Sequence, residues 1–322
     1  MNPVLAFLKA SRWLNLLIIA YTQLAVKYMV IDPFIRAHEL EPALNEIDML
    51  ILVASTVLIA TAGNLINDYF DLKIDRVNKP DRIVVGRYIK RRVAMAAHMG
   101  LTGIGLALGI ALSIKVGIWQ LFFIHVFWVI TLWYYSTELK YLFFWGNLAV
   151  AACIAMVPLS VGLFEIPTLL ANYTEELKDL DEIRYFFRRF TFHLFYWVLG
   201  FSAFALMITL SREILKDIID IKGDKAFHCR TIPIKLGIPK TKLIINFINV
   251  LILAGIIMVQ QFFVPDIYST IYLGFVCLLL VLNIFLTAQA NENTGFKRAS
   301  NLNKLITVLG ISYSIIVFIQ LS

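Results

Sequence analysis

The chain has 322 residues, of which 60% are hydrophobic and only 16% charged, against roughly 25% charge in ordinary soluble domains. A mean hydropathy of +0.78, with 24 Phe and 13 Tyr, excludes a soluble protein built around one large core. The net charge of +7 is then read as a signature of membrane topology, not of nucleic-acid binding.

The N-terminal stretch "MNPVLAFLKASRWLNLLIIAYTQLAVKYMVI" carries few early charges, and no small-x-small cleavage site follows its long apolar run. It is expected to be retained as a first span. A crossing takes about 20 mostly apolar residues. On that basis spans are predicted at 13–31, 48–66, 93–113, 118–135, 143–163, 190–211, 243–263, 267–287 and 303–321, nine in all. The fourth and fifth are short and closely coupled. All are expected to be helices, because a lipid-exposed backbone must satisfy its own hydrogen bonds and these continuous runs do not suit a barrel. Cys153, Cys229 and Cys277 show neither disulfide-framework nor metal-type spacing.

The loops are asymmetric in charge. Segments 67–92 and 212–242 each carry eight Lys or Arg, whereas 32–47 holds Asp32, Glu39, Glu41 and Glu46 against Arg36 alone. The positive-inside rule therefore places the N-terminus and both basic loops in the cytoplasm and the C-terminus outside. Segment 175–189, "EELKDLDEIRYFFRR", reads as a short amphipathic outer helix. The stretch after Ala288, "QANENTGFKRASN", reads as an inner loop broken by Asn, Gly and Ser.

Both polar loops begin with stacked acids. In "NLINDYFDLKIDRVNKPDR", Asn67, Asp71 and Asp75 recur every four residues and share one helical face, with Asp68 beside it. In "REILKDIIDIKGDKAFHCRTIPIKLG", Glu213, Asp217, Asp220 and Asp224 follow at spacings of four, three and four, which on a continuous helix form a second face. A solvated helix end paired with Lys73, Arg76 and Lys79 would explain the first cluster by itself. Two such faces at the same membrane side point instead to one strongly negative cavity, and intramembrane carboxylates mark function by default. A diphosphate bridged by two Mg²⁺ suits it, because hard oxygen ligands favour Mg²⁺ and flanking Lys and Arg favour phosphate.

These residues carry a resemblance. Asn67-Asp68, Asp71, Asp75, Pro80 and Arg82 match the NDxxDxxxD…PxR motif of the UbiA superfamily of intramembrane prenyltransferases. Asp220 and Asp224 match its DxxxD motif, and "YSTELK", Tyr135 to Lys140, followed by Gly146-Asn147, matches a further element. The chain departs from the family pattern at Ile83 and at His228, where proline and glycine are common. The resemblance implies an all-α integral membrane protein, a single domain over residues 1–322 with about nine helices around a central cavity. It also implies Mg²⁺-dependent transfer of an isoprenyl group from its diphosphate to a lipid-soluble or amphiphilic acceptor. Asn67, Asp68, Asp71 and Asp75 would hold one Mg²⁺, and Asp220 and Asp224, helped by Asp217, the other. Lys79, Arg82, Lys140 and Arg230 would grip the phosphates, with "NKPDR" as the turn bringing Lys79 and Arg82 back over the first acidic face. Asp68, Asp71, Asp220 and Tyr135 are the expected catalytic residues, Tyr135 through its ring face toward an allylic cation. "KDIIDIKGDKAF…RTIP" is most similar to the homogentisate, chlorophyll and archaeal-type ether-lipid branch, so a geranylgeranyl group passing to a geranylgeranylglyceryl-phosphate-type acceptor is expected. An aromatic quinone precursor is the alternative acceptor, and a transporter or lipid flippase the alternative class. No nucleic acid and no obligate protein partner is expected.

Overall fold

The computed structural model describes residues 2–173 and 181–321; the side chains of Arg82, 181–184 and Phe186 lie outside the described set. Among the described residues the protein is helical, with only an isolated bridge between Val85 and Ile89 besides.

Helix α1, Pro3–Ser11, opens on an Asn2 cap that accepts the Val4 N–H, with proline at the first helical position. It buries Ala6, Ala10 and Ser11 and exposes Val4, Leu5, Phe7 and Leu8, as a helix lying in the membrane surface does. Arg12, in the left-handed region at φ 56°, turns the chain into α2, Trp13–Val26, which continues through a π-turn into α3, Asp32–Arg36. Helix α4, Glu46–Asn78, starts at a capping box formed by Asn45 and Asp48. Its 33 residues rise about 50 Å, well beyond the roughly 30 Å of hydrocarbon. Its last three turns, from Asn67, therefore stand above the apolar run. The polar segment assigned to a loop from 67 thus begins as helix.

Eight helical stretches among the described residues are long and apolar enough to cross a membrane. The ninth expected span is α6, Phe122–Thr137, whose 16 residues are short for a crossing. It lies between α5, Arg91–Lys115, and α7, Trp145–Tyr173. The remaining helices are α8, Asp181–Ile219; α9, Ile221–Ala226; α10, Ile232–Phe262; α11, Ile267–Gln289; and α12, Asn293–Leu321.

Three expectations need correction. Glu213 to Asp224 do not lie on one continuous helix, because the chain bends at Asp220 (φ −94°, ψ 6°) between α8 and α9. The break-rich stretch after Ala288 is mostly the start of α12, since Phe296 and Ala299 are buried and packing overrides weak local propensity. Of the proposed outer helix 175–189, residues 174–180 lie outside the described residues, and 181–189 are the first turns of α8.

Buried polar pairs clamp the bundle. Ser211 donates to Asn249, Asn249 to Asn283, and Asn303 to Ser211, joining α8, α10, α11 and α12. A second cluster sits on α7, 18 residues and so about 27 Å from Asn147. There Lys27 is 1% exposed and bridges Asp32 and Glu165, each at 2.7 Å. Glu165 also accepts the Ala43 and Leu44 N–H groups, so the loop before α4 closes the end of the bundle away from the acidic faces.

Candidate active site

The two acidic faces meet. A cavity of about 730 Å³ is lined by Asn67, Asp68, Asp71 and Asp75 from α4, by Glu213 and Asp217 from α8, and by Asp220 and Asp224 at the bend. Its deeper wall is apolar: Ile18, Ile19, Ile59, Gly63, Trp128, Leu132, Val150 and Val157. The volume falls within the range of small-molecule sites, roughly 300–1,000 Å³.

Local features explain the convergence. Asn78, one turn past Asp75, accepts the Gly223 N–H at 2.7 Å and so docks α9 against the end of α4. A Cβ at Gly223 would lie 2.5 Å from the Asn78 side chain, so only glycine permits this approach. Gly146 plays the same part for "YSTELK". A Cβ there would sit 2.9 Å from both the Leu139 carbonyl oxygen and the Lys140 Cα, and its lack lets the turn holding Lys140 cross the start of α7. The Arg230 N–H donates to the Tyr141 carbonyl at 2.8 Å, tying the segment before α10 to that turn.

Cations interleave with the acids. Lys140 pairs with Asp71 at 2.6 Å, Arg12 with Asp68 at 2.9 Å, and Lys79 with Asp220. Lys79 therefore does not fold back over its own face; it crosses to the second one and joins the two. Asn147 donates to Asp217 at 2.9 Å. Tyr135 lines the cavity within reach of the charges of Glu213, Asp71, Asp217 and Arg12. Burial, then the charges of Asp220 and Asp71, raise the Asp224 carboxyl to about 7.

Of the predicted residues, Asn67, Asp68, Asp71, Asp75, Lys79, Tyr135, Lys140, Asp217, Asp220 and Asp224 all line this one cavity. Arg230 does not: its side chain is exposed, and its neighbours Cys229 and Thr231 line the wall instead. The side chain of Arg82 lies outside the described residues. The structure adds Lys9, Arg12, Arg212, Lys216 and Lys304 to the lining. Lys9 and Arg12, Arg212, and Lys304 come from distant parts of the chain, and Lys216 follows Arg212 by one turn of α8 within the basic segment 212–242. Only Gly146-Asn147, next to the YSTELK motif, marked Asn147 in advance.

Among the described residues no three carboxylate, His or Cys side chains are gathered into a ready-made metal cage. The donor set nevertheless suits a hard divalent cation. It consists of carboxylate and amide oxygens, Asn67 Oδ1 is buried with no hydrogen-bond partner, and Asp75 makes no ion pair among the described residues.

A helical membrane protein with an oxygen-rich, cation-laced cap over an apolar cavity belongs to the class that handles amphiphilic, phosphate-bearing molecules. More specifically, residues 37–305 match the UbiA prenyltransferase family, and the chain belongs to that family. It is 30% identical to digeranylgeranylglyceryl phosphate synthase from Pyrococcus abyssi over 272 residues, 84% of this chain and 83% of that one. The fold matches a solved structure from work on digeranylgeranylglyceryl phosphate synthase in membranes, with a TM-score of 0.69 and 20% identity over 99% of this chain and 100% of that one. It also matches a UbiA homologue from Archaeoglobus fulgidus solved bound to GPP and Mg²⁺, with a TM-score of 0.58 and 13% identity over 97% and 99% of the two chains.

Proposed function

We propose that this protein transfers a geranylgeranyl group from its diphosphate to the free hydroxyl of geranylgeranylglyceryl phosphate, forming a second ether bond and releasing diphosphate. The observation that carries the reading is the meeting of two acidic faces, each held by a lysine, over one apolar cavity. The P. abyssi relative and the Mg²⁺-bound homologue support the substrate class.

Asn67, Asp68, Asp71 and Asp75 on one side, and Asp217, Asp220 and Asp224 on the other, would hold two Mg²⁺. Bound there, Mg²⁺ supplies Lewis-acid neutralisation of the departing diphosphate. With hard cations held by the acidic faces, Lys79 and Lys140 would be free to hold the phosphate oxygens, joined by Arg82, three residues after Lys79. The allylic C1–O bond breaks with its electron pair leaving on the diphosphate. The acceptor oxygen forms the new C–O bond and gives its proton to a diphosphate oxygen. The Tyr135 ring steadies the allylic cation. The apolar wall around Ile59, Trp128 and Val157 holds the isoprenyl tail and keeps water from that cation. The site faces the cytoplasm, with the N-terminus inside, a placement that the basic loop charges support.

The test offers detergent-purified protein isoprenyl diphosphates of several lengths, Mg²⁺, and both phosphorylated glyceryl ethers and aromatic quinone precursors, with product masses read out. Digeranylgeranylglyceryl phosphate is the expected product. Product from the aromatic acceptors alone would overturn the acceptor assignment. No product from any pair, together with no Mg²⁺-dependent diphosphate binding, would overturn the enzyme assignment.

A further inference from the structure

Not every cation of the cavity is paired with one of its acids. Lys79, Lys140 and Arg12 are each committed to an aspartate, and Lys216 is paired with Glu213. Arg212 on α8 and Lys304 on α12 also line the cavity, yet neither makes an ion pair among the described residues. They are close enough for the charge of Arg212 to act on Lys304. The juxtaposition is built rather than incidental. Their immediate neighbours, Ser211 and Asn303, are fully buried and hydrogen-bonded at 3.1 Å, and Ser211 is itself held by Asn249 at 2.8 Å. That clamp fixes the register of α8 against α12 and so keeps Arg212 and Lys304 on one cavity wall, where Glu213, the carboxylate that feels the charge of Arg212, is already paired with Lys216.

We propose that Arg212 and Lys304 form a second anion site, separate from the diphosphate cap, that takes the phosphate group of the acceptor. The proposal rests on the reading above that the acceptor is a phosphorylated glyceryl ether. The geometry suits such a molecule. Arg212 precedes the cap residues Asp217 and Asp220 by five and eight residues, so it lies about 7–12 Å along α8 from them, toward the membrane interior. In a glyceryl phosphate only two carbons and an ester oxygen separate the phosphorus from the hydroxyl that is alkylated. With that hydroxyl about 3–3.5 Å from the donor carbon, the acceptor phosphate falls past the cap along the same wall. Both residues lie at the edges of predicted spans, 190–211 and 303–321, the depth at which an amphiphile carries its headgroup. The Arg212 guanidinium can meet a phosphate with two parallel N–H donors, and Lys304 adds a point charge.

The test compares geranylgeranylglyceryl phosphate with its dephosphorylated alcohol as acceptors for the wild type, Arg212→Gln and Lys304→Gln. Each variant is expected to raise the KM for the phosphorylated acceptor by about 10–100-fold, the range for losing a hydrogen-bonded charge. The donor KM, the Mg²⁺ requirement and use of the alcohol should stay at wild-type levels, and Arg212→Lys should recover part of the loss. Should the variants not fold, the wild type still decides: glycerol phosphate is expected to compete with the acceptor and not with the donor. Competition against the donor, a rise in donor KM, or equal loss with both acceptors would overturn the site. A wild type that turns over the phosphorylated acceptor while the variants keep its KM overturns this site alone; a wild type that uses only aromatic acceptors overturns the underlying reading.

Discussion

Replacing Lys140 with methionine separates what this lysine does for the fold from what it does for the substrate. Its ammonium lies 2.6 Å from Asp71, with the side chains 9% and 17% exposed. At an effective dielectric of about 20 the Coulomb attraction at that distance is about 6 kcal/mol. Desolvation of the pair offsets part of it, and breaking one partner of a buried pair costs about 3–5 kcal/mol, because the other charge is left uncompensated. Since Asp71 keeps some exposure, the low end, about 3 kcal/mol, applies. Lys140→Met should therefore lower the unfolding midpoint of the metal-free protein in detergent. Mg²⁺ should restore much of it by supplying the lost positive charge to Asp71. Turnover should not return, because the lysine that grips the phosphate is gone. The assay is thermal unfolding with and without Mg²⁺, beside product formation at saturating donor. A variant that Mg²⁺ stabilises no more than it stabilises the wild type would show that Asp71 does not meet the metal. A variant with full turnover would remove Lys140 from the phosphate grip.

Asp71→Asn and Asp224→Asn should each abolish product formation while leaving the metal-free protein folded, Asp71→Asn at a cost of about 3 kcal/mol because it strands Lys140; thermal unfolding and product mass check this together. The Asp224 carboxyl, raised to about 7 chiefly by burial, keeps its proton below that pH. Mg²⁺ must displace the proton, so apparent Mg²⁺ affinity should climb between pH 6 and 8 with proton release, and an affinity independent of pH across that window would contradict it. At the far end of the bundle, Lys27→Met leaves Glu165 and Asp32 buried without their cation and should cost about 3–5 kcal/mol of stability, with KM for both substrates unchanged in whatever protein folds. Gly63→Leu should block the apolar wall, where even a Cβ would meet Leu132 at 2.8 Å; longer isoprenyl diphosphates should lose more rate than short ones in a chain-length series.

Much of the fold was legible because lipid leaves the backbone few choices, so long apolar runs become helices. Helix α6 was readable in place though short for a span, since Gly117 and the YSTELK turn bound it. The acidic faces were legible because a four-residue repeat is a local pattern. The bend at Asp220 was not: it depends on Gly223 docking against Asn78, a contact 145 residues apart. Arg12, Arg212 and Lys304 escaped for the same reason. Arg12 lies in the turn before α2, Arg212 on α8 and Lys304 on α12, far apart in the chain, and only tertiary packing brings them to one wall. The crossing of Lys79 to Asp220 likewise needed both faces in space, since locally both Asp75 and Asp81 lie close to it in the chain.

The most direct measurement of the central claim is product formation by purified wild type and Asp71→Asn from geranylgeranyl diphosphate and geranylgeranylglyceryl phosphate, with Mg²⁺ and with the metal chelated. We predict the mass of the doubly alkylated glyceryl phosphate from the wild type with Mg²⁺ and from neither the chelated wild type nor the variant. The same product at an undiminished rate after chelation, or from Asp71→Asn, would contradict a metal-held diphosphate between the two acidic faces.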